Sequence, residues 1–323
     1  MSEELIRVEH LKKYFDTPGG KLHAVDDVGF TLDAGKTLGI VGESGCGKST
    51  LGRTVLGLLP ATEGDIYFEG ENITRAKGKH RRELQKDMQI IFQDPFSSLN
   101  PRNTVYESIA SPLKTFKLCR NKKEMETRVY DLMDTVGLAR RFAFSYPHEL
   151  DGGRRQRIGV ARALSVDPKF IVCDEPVSAL DVSIQAQILN LLQDLQADKG
   201  ISYIFVTHDM SVVKHISDDI LVMYVGSMVE KAPAKKLFRM PLHPYTKGLL
   251  SAIPVPSINR KKERIIMQGE LTSPVNPKSG CRFANRCPFA KEKCRSEYPQ
   301  YEEVLPDHFV ACHYCREINQ LED

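Results

Sequence analysis

Short, almost wholly apolar runs punctuate the chain: "TLGIVG" at 37–42, "KFIVCD" at 169–174 and "ISYIFVT" at 201–207. Runs of this length with no polar face are buried strands of a parallel sheet, and the long helical pattern at 183–198 between the last two is their crossover. Residues 5–9 and 28–41 also read as strands, the second ending at a glycine-rich turn after which a helix should begin. In "NKKEMETRVYDLMDTVG", Met125, Val129, Leu132, Met133 and Val136 recur at helical spacing, with Asn121 able to cap the start and Gly137 the end. That stripe predicts an amphipathic helix covering a core. Beyond about residue 235 the pattern breaks up: prolines at 241, 244, 254, 256, 274, 277 and 288 preclude long elements, and the basic run at 259–264 reads as solvated surface. An α/β domain over 1–235 and a smaller region over 236–323 are the expectation.

The 323 residues suit one large domain with an appendage. With 45 Lys and Arg against 42 Asp and Glu, the net charge of +3 is too balanced for a chain that coats nucleic acid. The start "MSEELIRVEH" lacks a secretory pattern, and "ILVMYVG" at 220–226 is far short of the ~20 apolar residues that span a bilayer, so a cytosolic chain is expected. In such a reducing compartment the eight cysteines favour metal, cluster or buried-thiol roles over disulfides.

"GESGCGKST" at 42–50 fits G-x-x-x-x-G-K-[ST] between an apolar strand and a helix, the context that a phosphate loop requires. Gly42, Gly45 and Gly47 let main-chain N–H groups, those of Ser44 and Cys46 among them, wrap phosphate oxygens at a helix N-terminus. Lys48 should reach the β- and γ-phosphates, and Ser49, followed by Thr50, should ligate Mg²⁺. "FIVCDEP" delivers Asp174 to a strand end as a metal partner, and Glu175 beside it can deprotonate an attacking water. Cys46 and Cys173 read as small buried thiols inside these motifs.

With these motifs the first ~235 residues resemble the nucleotide-binding subunit of an ATP-binding cassette (ABC) transporter. The resemblance also rests on "FQDP" with Gln93 as the glutamine loop, "SALD" with Asp181 as the dimer-contacting loop, and "VTHD" with His208 as the switch histidine. Phe15 in "LKKYF", or else Tyr14, is placed like the aromatic that stacks on adenine. It implies a RecA-like core with an antiparallel β subdomain and a helical subdomain at about 94–165, ATP and Mg²⁺ as ligands, Ser49, Gln93 and Asp174 around the metal, and Glu175 and His208 as catalytic residues.

One loop departs from the family. Where L-S-G-G-Q is expected, the chain reads "LDGGRRQ" at 150–156. In the family this loop closes over the nucleotide of the facing subunit, so Asp151, beside Gly152 and Gly153, would meet a polyanion. Arg154 or Arg155 could compensate by pairing with Asp151. A weakened site, low activity as a homodimer and a heterodimer with a sister ATPase are the expectation.

"HPYTKGLLSAIP" at 243–254 followed by "GCRFANRCPFA" resembles the C-terminal region of ATPase subunits of oligopeptide and dipeptide importers, a branch shared with nickel importers. The resemblance implies a peripheral protein on the cytoplasmic face of the membrane, two permease subunits whose coupling helices dock at about 94–147, a peptide-binding protein acting indirectly, and no nucleic acid. The sequence of "DPFSSLNPRNTV" itself reads only as loop. A soluble cassette ATPase acting on nucleic acid or ribosomes, and a regulatory ATP-binding subunit with a degenerate signature, remain alternatives at this point.

The tail cysteines space as Cys281-x5-Cys287-x6-Cys294-x17-Cys312, with Cys315 close behind. Structural zinc favours paired knuckles, and only Cys312 and Cys315 form one; four scattered thiolates suit a [4Fe–4S] cluster better, with zinc and unligated thiols as the alternatives. The importer resemblance implies the same cluster. Cys281, Cys287, Cys294 and Cys312 are the expected ligands of this structural staple, Cys315 the spare and Cys119 a lone thiol.

Overall fold

The computed structural model describes residues 3–253, 265–267, 269 and 272–322. Pro254, Pro256 and the basic run at 259–264 lie outside the described residues. The chain divides into two compact units: one holds Asp33–Lys36 and Arg75–Ile204, the other Glu4–Leu32, Thr37–Thr74 and the chain from Phe205 onward. Residue 235 is therefore not an edge of either unit.

In the first unit, Met88–Ile91 runs parallel to Phe170–Asp174, with Met88 opposite Phe170 and Ile91 opposite Cys173. All five residues of Phe170–Asp174 are buried, as an apolar run in a parallel sheet demands, each large apolar side chain contributing about 1.5–3 kcal/mol. The crossover is the helix Val182–Lys199, begun by Asp181, whose side chain accepts from Ile184 N at 3.0 Å, and ended by left-handed Gly200. Helices Val105–Thr115, Lys122–Thr135 and Gly152–Leu164 pack as a bundle. Asn121 caps the second through Glu124 N at 2.9 Å, Val129, Leu132, Met133 and Val136 are buried, and Gly137 follows with φ 66°, all as the stripe predicts. The segment read as loop at 94–105 contains one helical turn, Pro95–Ser98, because Asp94 accepts from Phe96 N at 2.8 Å.

In the second unit a four-stranded antiparallel sheet is ordered Gly20–Asp33, Glu4–Thr17, Glu63–Phe68, Glu71–Asn72. The strand expected over 28–41 is two strands, Gly20–Asp33 and Thr37–Val41, separated by a turn where Gly35 has φ 70°. Such a left-handed turn ends a strand, and apolar content alone did not reveal it. Thr37–Val41 pairs in parallel with Asp219–Tyr224. Antiparallel neighbours follow: Ser227–Pro233, His308–Val310 and Glu302–Leu305. The proline-rich tail thus adds two strands to a sheet edge.

Candidate functional site

The phosphate loop leaves the fully buried strand Thr37–Val41 and enters the helix Lys48–Val55. Its glycines are steric necessities: a Cβ on Gly42 would lie 2.2 Å from Met223 O, and one on Gly47 would lie 1.9 Å from Ala24 O. Lys48 is 4% exposed, and its ammonium donates to Gly42 O at 2.8 Å and Glu43 O at 2.9 Å, inside the loop. Ser44 and Gly45 are exposed, Ser49 and Thr50 half-buried on the first helical turn, and burial pushes the Cys46 thiol up. The loop fits a polyphosphate: a cradle closed to side chains, a cation inside it and a helix N-terminus below.

Asp174, 1% exposed, ends its strand in the first unit. Glu175 follows with φ 47°, a left-handed backbone that costs a non-glycine residue about 1–3 kcal/mol. That carboxylate accepts from Gln93 Nε2 at 3.0 Å, so two predicted site residues 82 positions apart meet directly. His208, in the second unit, is exposed just beyond the strand Ser202–Thr207.

The two candidate aromatics have different surroundings. The Tyr14 hydroxyl donates to Asp26, and its ring stacks on His23 with centroids 3.9 Å apart. Phe15 is half-buried with the Lys13 ammonium 4.7 Å from its ring centre.

At the variant signature, Asp151 caps the helix Gly152–Leu164: its carboxylate accepts from Arg154 N and from Arg154 Nη1, both at 2.8 Å. Arg155 instead donates through Nε to Pro147 O at 2.7 Å. Cβ atoms on Gly152 and Gly153 would meet Leu180 at 3.1 Å and Ile184 at 2.7 Å, so the two glycines let the loop Ser178–Asp181 and its helix pack close.

All eight cysteines are free thiols. Among the described residues no group of three or more His, Cys, Asp or Glu is placed to hold a metal ion. The four expected ligands are nonetheless electrostatic neighbours: Cys281 senses Cys294, Cys312 and Cys287, and Cys312 senses Cys287 and Cys294. Burial pushes Cys281 up to about 12 and Cys312 up to about 11. Against this, the N–H groups of Phe283, Phe289 and Tyr314 each donate to the cysteine sulfur two residues before, at Cys281, Cys287 and Cys312. Cys315 packs with Leu242, Val304 and Val310 in an apolar cluster. Cys119 is half-buried.

Sequence reasoning missed several polar groups. Glu230, fully buried, accepts from Leu242 N at 2.7 Å, His243 N at 3.0 Å and His308 Nε2 at 2.7 Å. Its one signal was a carboxylate within the apolar run "MVEKA". Tyr245, Arg282 and Arg286 also carry structural bonds, and only their place beside the tail motifs hinted at them.

Residues 25–178 match the ABC transporter model and residues 229–294 the oligopeptide/dipeptide transporter C-terminal region. The chain is 50% identical over 321 residues to the putative oligopeptide transport ATP-binding protein YkfD of Bacillus subtilis, covering 98% of each chain. It is 48% identical over 319 residues to the oligopeptide transport ATP-binding protein OppF of Escherichia coli, covering 95% of each. The ATP-binding cassette MJ0796, solved as a dimer bound to ADP and Pi, superposes with a TM-score of 0.65 at 27% identity, covering 71% of this chain and 99% of that one. CbiO1 of Clostridium perfringens, part of the cbiONQ transporter complex, gives 0.65 at 27% identity, covering 73% and 91%. Motifs, fold and full-length similarity together make this chain a member of the ABC transporter ATP-binding family, in the branch that bears the oligopeptide/dipeptide transporter C-terminal region.

Proposed function

We propose that this chain is one of two dissimilar ATPase subunits that power an oligopeptide/dipeptide importer. ATP hydrolysis supplies the energy. The carrying observation is that similarity to oligopeptide transport ATP-binding proteins runs past the cassette into the C-terminal region. The subunit sits peripherally on the cytoplasmic face, against two permease subunits fed by a peptide-binding protein. No helix among the described residues is long and apolar enough to cross a membrane.

Phe15 stacks on adenine, because Tyr14 is already committed to Asp26 and His23. The main chain of Gly42–Gly47 binds the phosphates, Lys48 neutralises them, and Ser49, Asp174 and Gln93 would hold Mg²⁺. Glu175, aimed by Gln93, takes the proton of the attacking water, and His208 is the second catalytic residue. Mg²⁺ supplies charge neutralisation between the phosphates. Asp151, Gly152 and Gly153 face the sister subunit's nucleotide, and Asp181 lies in the contact between the two ATPases.

The Asp151–Arg154 pair is exposed, and exposed pairs contribute about 0–1 kcal/mol, too little to cancel a carboxylate facing a γ-phosphate. This favours a heterodimer whose second site is weak. Isolated from membranes, the chain should bring two permeases and a second ATPase; purified alone, it should turn over ATP slowly. D151S/R154Q should raise that solitary turnover roughly tenfold, ~1.4 kcal/mol of transition-state stabilisation. Unchanged turnover and unchanged ATP-dependent dimerisation would refute the heterodimer, and co-purified nucleic acid without permeases would refute the importer.

For the tail, the donor set fits a [4Fe–4S] cluster better than zinc. Cys281 and Cys312 each feel the charge of the other expected ligands, which suits a group whose four irons take one thiolate each. Three sulfurs already accept main-chain N–H bonds that favour the thiolate. Such a group would supply cross-linking of a short, proline-broken segment, not chemistry on the substrate. Anaerobically purified protein should absorb in the visible and contain about four irons, and Cys294→Ser should abolish both while Cys315→Ser keeps them. A colourless, zinc-rich sample would defeat the cluster.

A further inference from the structure

Two arginines of the cysteine-bearing segment, Arg282 beside Cys281 and Arg286 beside Cys287, reach the phosphate loop's surroundings within the second unit. Arg286 meets the Glu43 carboxylate through two parallel bonds, Nη1 to Oε2 at 2.7 Å and Nη2 to Oε1 at 3.0 Å, with its side chain only 10% exposed. Glu43 is the first residue after Gly42, so this grip falls on the loop itself. On the main-chain side, Glu43 N–H donates to the Tyr245 hydroxyl at 2.8 Å. Tyr245 is fully buried against Tyr224 and Phe283, with ring centroids 4.8 and 5.4 Å away.

Arg282 acts on the other flank. Its guanidinium donates to Val225 O and to Asp26. The next residue, Gly226, donates its N–H to Cys46 O in the middle of the loop at 2.8 Å. The arginines are themselves fixed by a tight turn, with Ala284 N–H bonded to Cys281 O at 3.0 Å, Arg286 N–H to Phe283 O at 2.9 Å, and Cys281 N–H to Cys294 O at 2.7 Å.

We propose that Arg286 and Arg282, with Tyr245, are positioning residues for ATP binding: the C-terminal region holds the phosphate loop open in its binding geometry through Glu43 and the Val225–Gly226 turn. A phosphate loop binds by main-chain N–H groups whose directions must converge, so an external brace that costs nothing on binding raises affinity by preorganisation. A bidentate guanidinium–carboxylate pair suits that task because it fixes orientation as well as distance. This rests on ATP as the loop's ligand and is independent of the cargo.

The test is Mg-ATP titration of the full chain by calorimetry, well below each variant's melting temperature. R286A should weaken ATP about five- to tenfold and R286K nearly as much, because a lysine ammonium cannot make the two parallel bonds to Glu43. E43Q should match R286A, and E43Q/R286A should be no weaker than either, since both remove one interaction. Y245F, which keeps the packed ring, should cost about two- to threefold, and decides with E43Q if R286A does not fold. Affinities within twofold of wild type in the folded variants, or losses that add in the double variant, would overturn the brace. Failure of the wild-type chain to bind Mg-ATP would overturn the ATP-site reading instead.

Discussion

Glu175→Gln should cut ATP turnover by about 10²–10⁴-fold, the usual contribution of a general base, and leave ATP affinity within a few-fold. The substitution is nearly isosteric, and its amide oxygen can still accept from Gln93 Nε2, so the 3.0 Å contact that orients the side chain survives while the basic group is lost. Because the residue keeps its left-handed backbone, with φ 47°, the loop leading to Ser178 should not rearrange. Single-turnover and equilibrium-binding measurements on the assembled ATPase pair separate the two effects. Turnover near wild type would remove Glu175 from the chemistry, and a loss confined to binding would give it a different role.

Glu230→Ala should destabilise the second unit by about 3–5 kcal/mol, since three buried donors lose their acceptor at about 1–3 kcal/mol each. The reason is accounting of donors: Leu242 N–H, His243 N–H and His308 Nε2 all lose their acceptor in a site with no exposed surface. Glu230 lies on the strand Ser227–Pro233, His308 on the edge strand His308–Val310, and His243 caps the helix Pro244–Ser251, so one carboxylate fastens three elements. Denaturant unfolding should show the loss, and hydrogen exchange should locate it at 302–310. Replacing Glu230 and His308 together by apolar residues of similar volume should cost less, since fewer donors are then stranded. A single-variant loss under 1 kcal/mol would mean that water or relaxation satisfies those groups.

The strand–loop–helix geometry of the candidate site was legible because it depends on short-range spacing. A glycine-rich turn between an apolar strand and a helix can form only a few backbone shapes, and Gly42 and Gly47 are needed wherever the chain passes Met223 O and Ala24 O. The helix at Lys122–Thr135 was equally legible, since its cap, its stripe and its terminating glycine lie within one short stretch. The false strand over 28–41 failed for a related reason: strand patterning registers apolar content, while the break at Gly35 depends on one backbone angle.

The sequence by itself determined the glycine-rich turn between a buried strand and a helix and nominated the residues for phosphate, metal and proton, because a motif fixes residue type and short-range spacing together. Only the tertiary structure decided which charged groups are working parts. Glu43, Asp26, Glu230, Arg282, Arg286 and His308 look like ordinary surface residues in one dimension. Folding buries Glu230, His308 and Arg282, and half-buries Glu43, Asp26 and Arg286, each beside a partner distant in sequence, 243 residues away for Arg286 and Glu43. A buried charge is stable only when such a partner is present, and sequence spacing carries no record of that meeting.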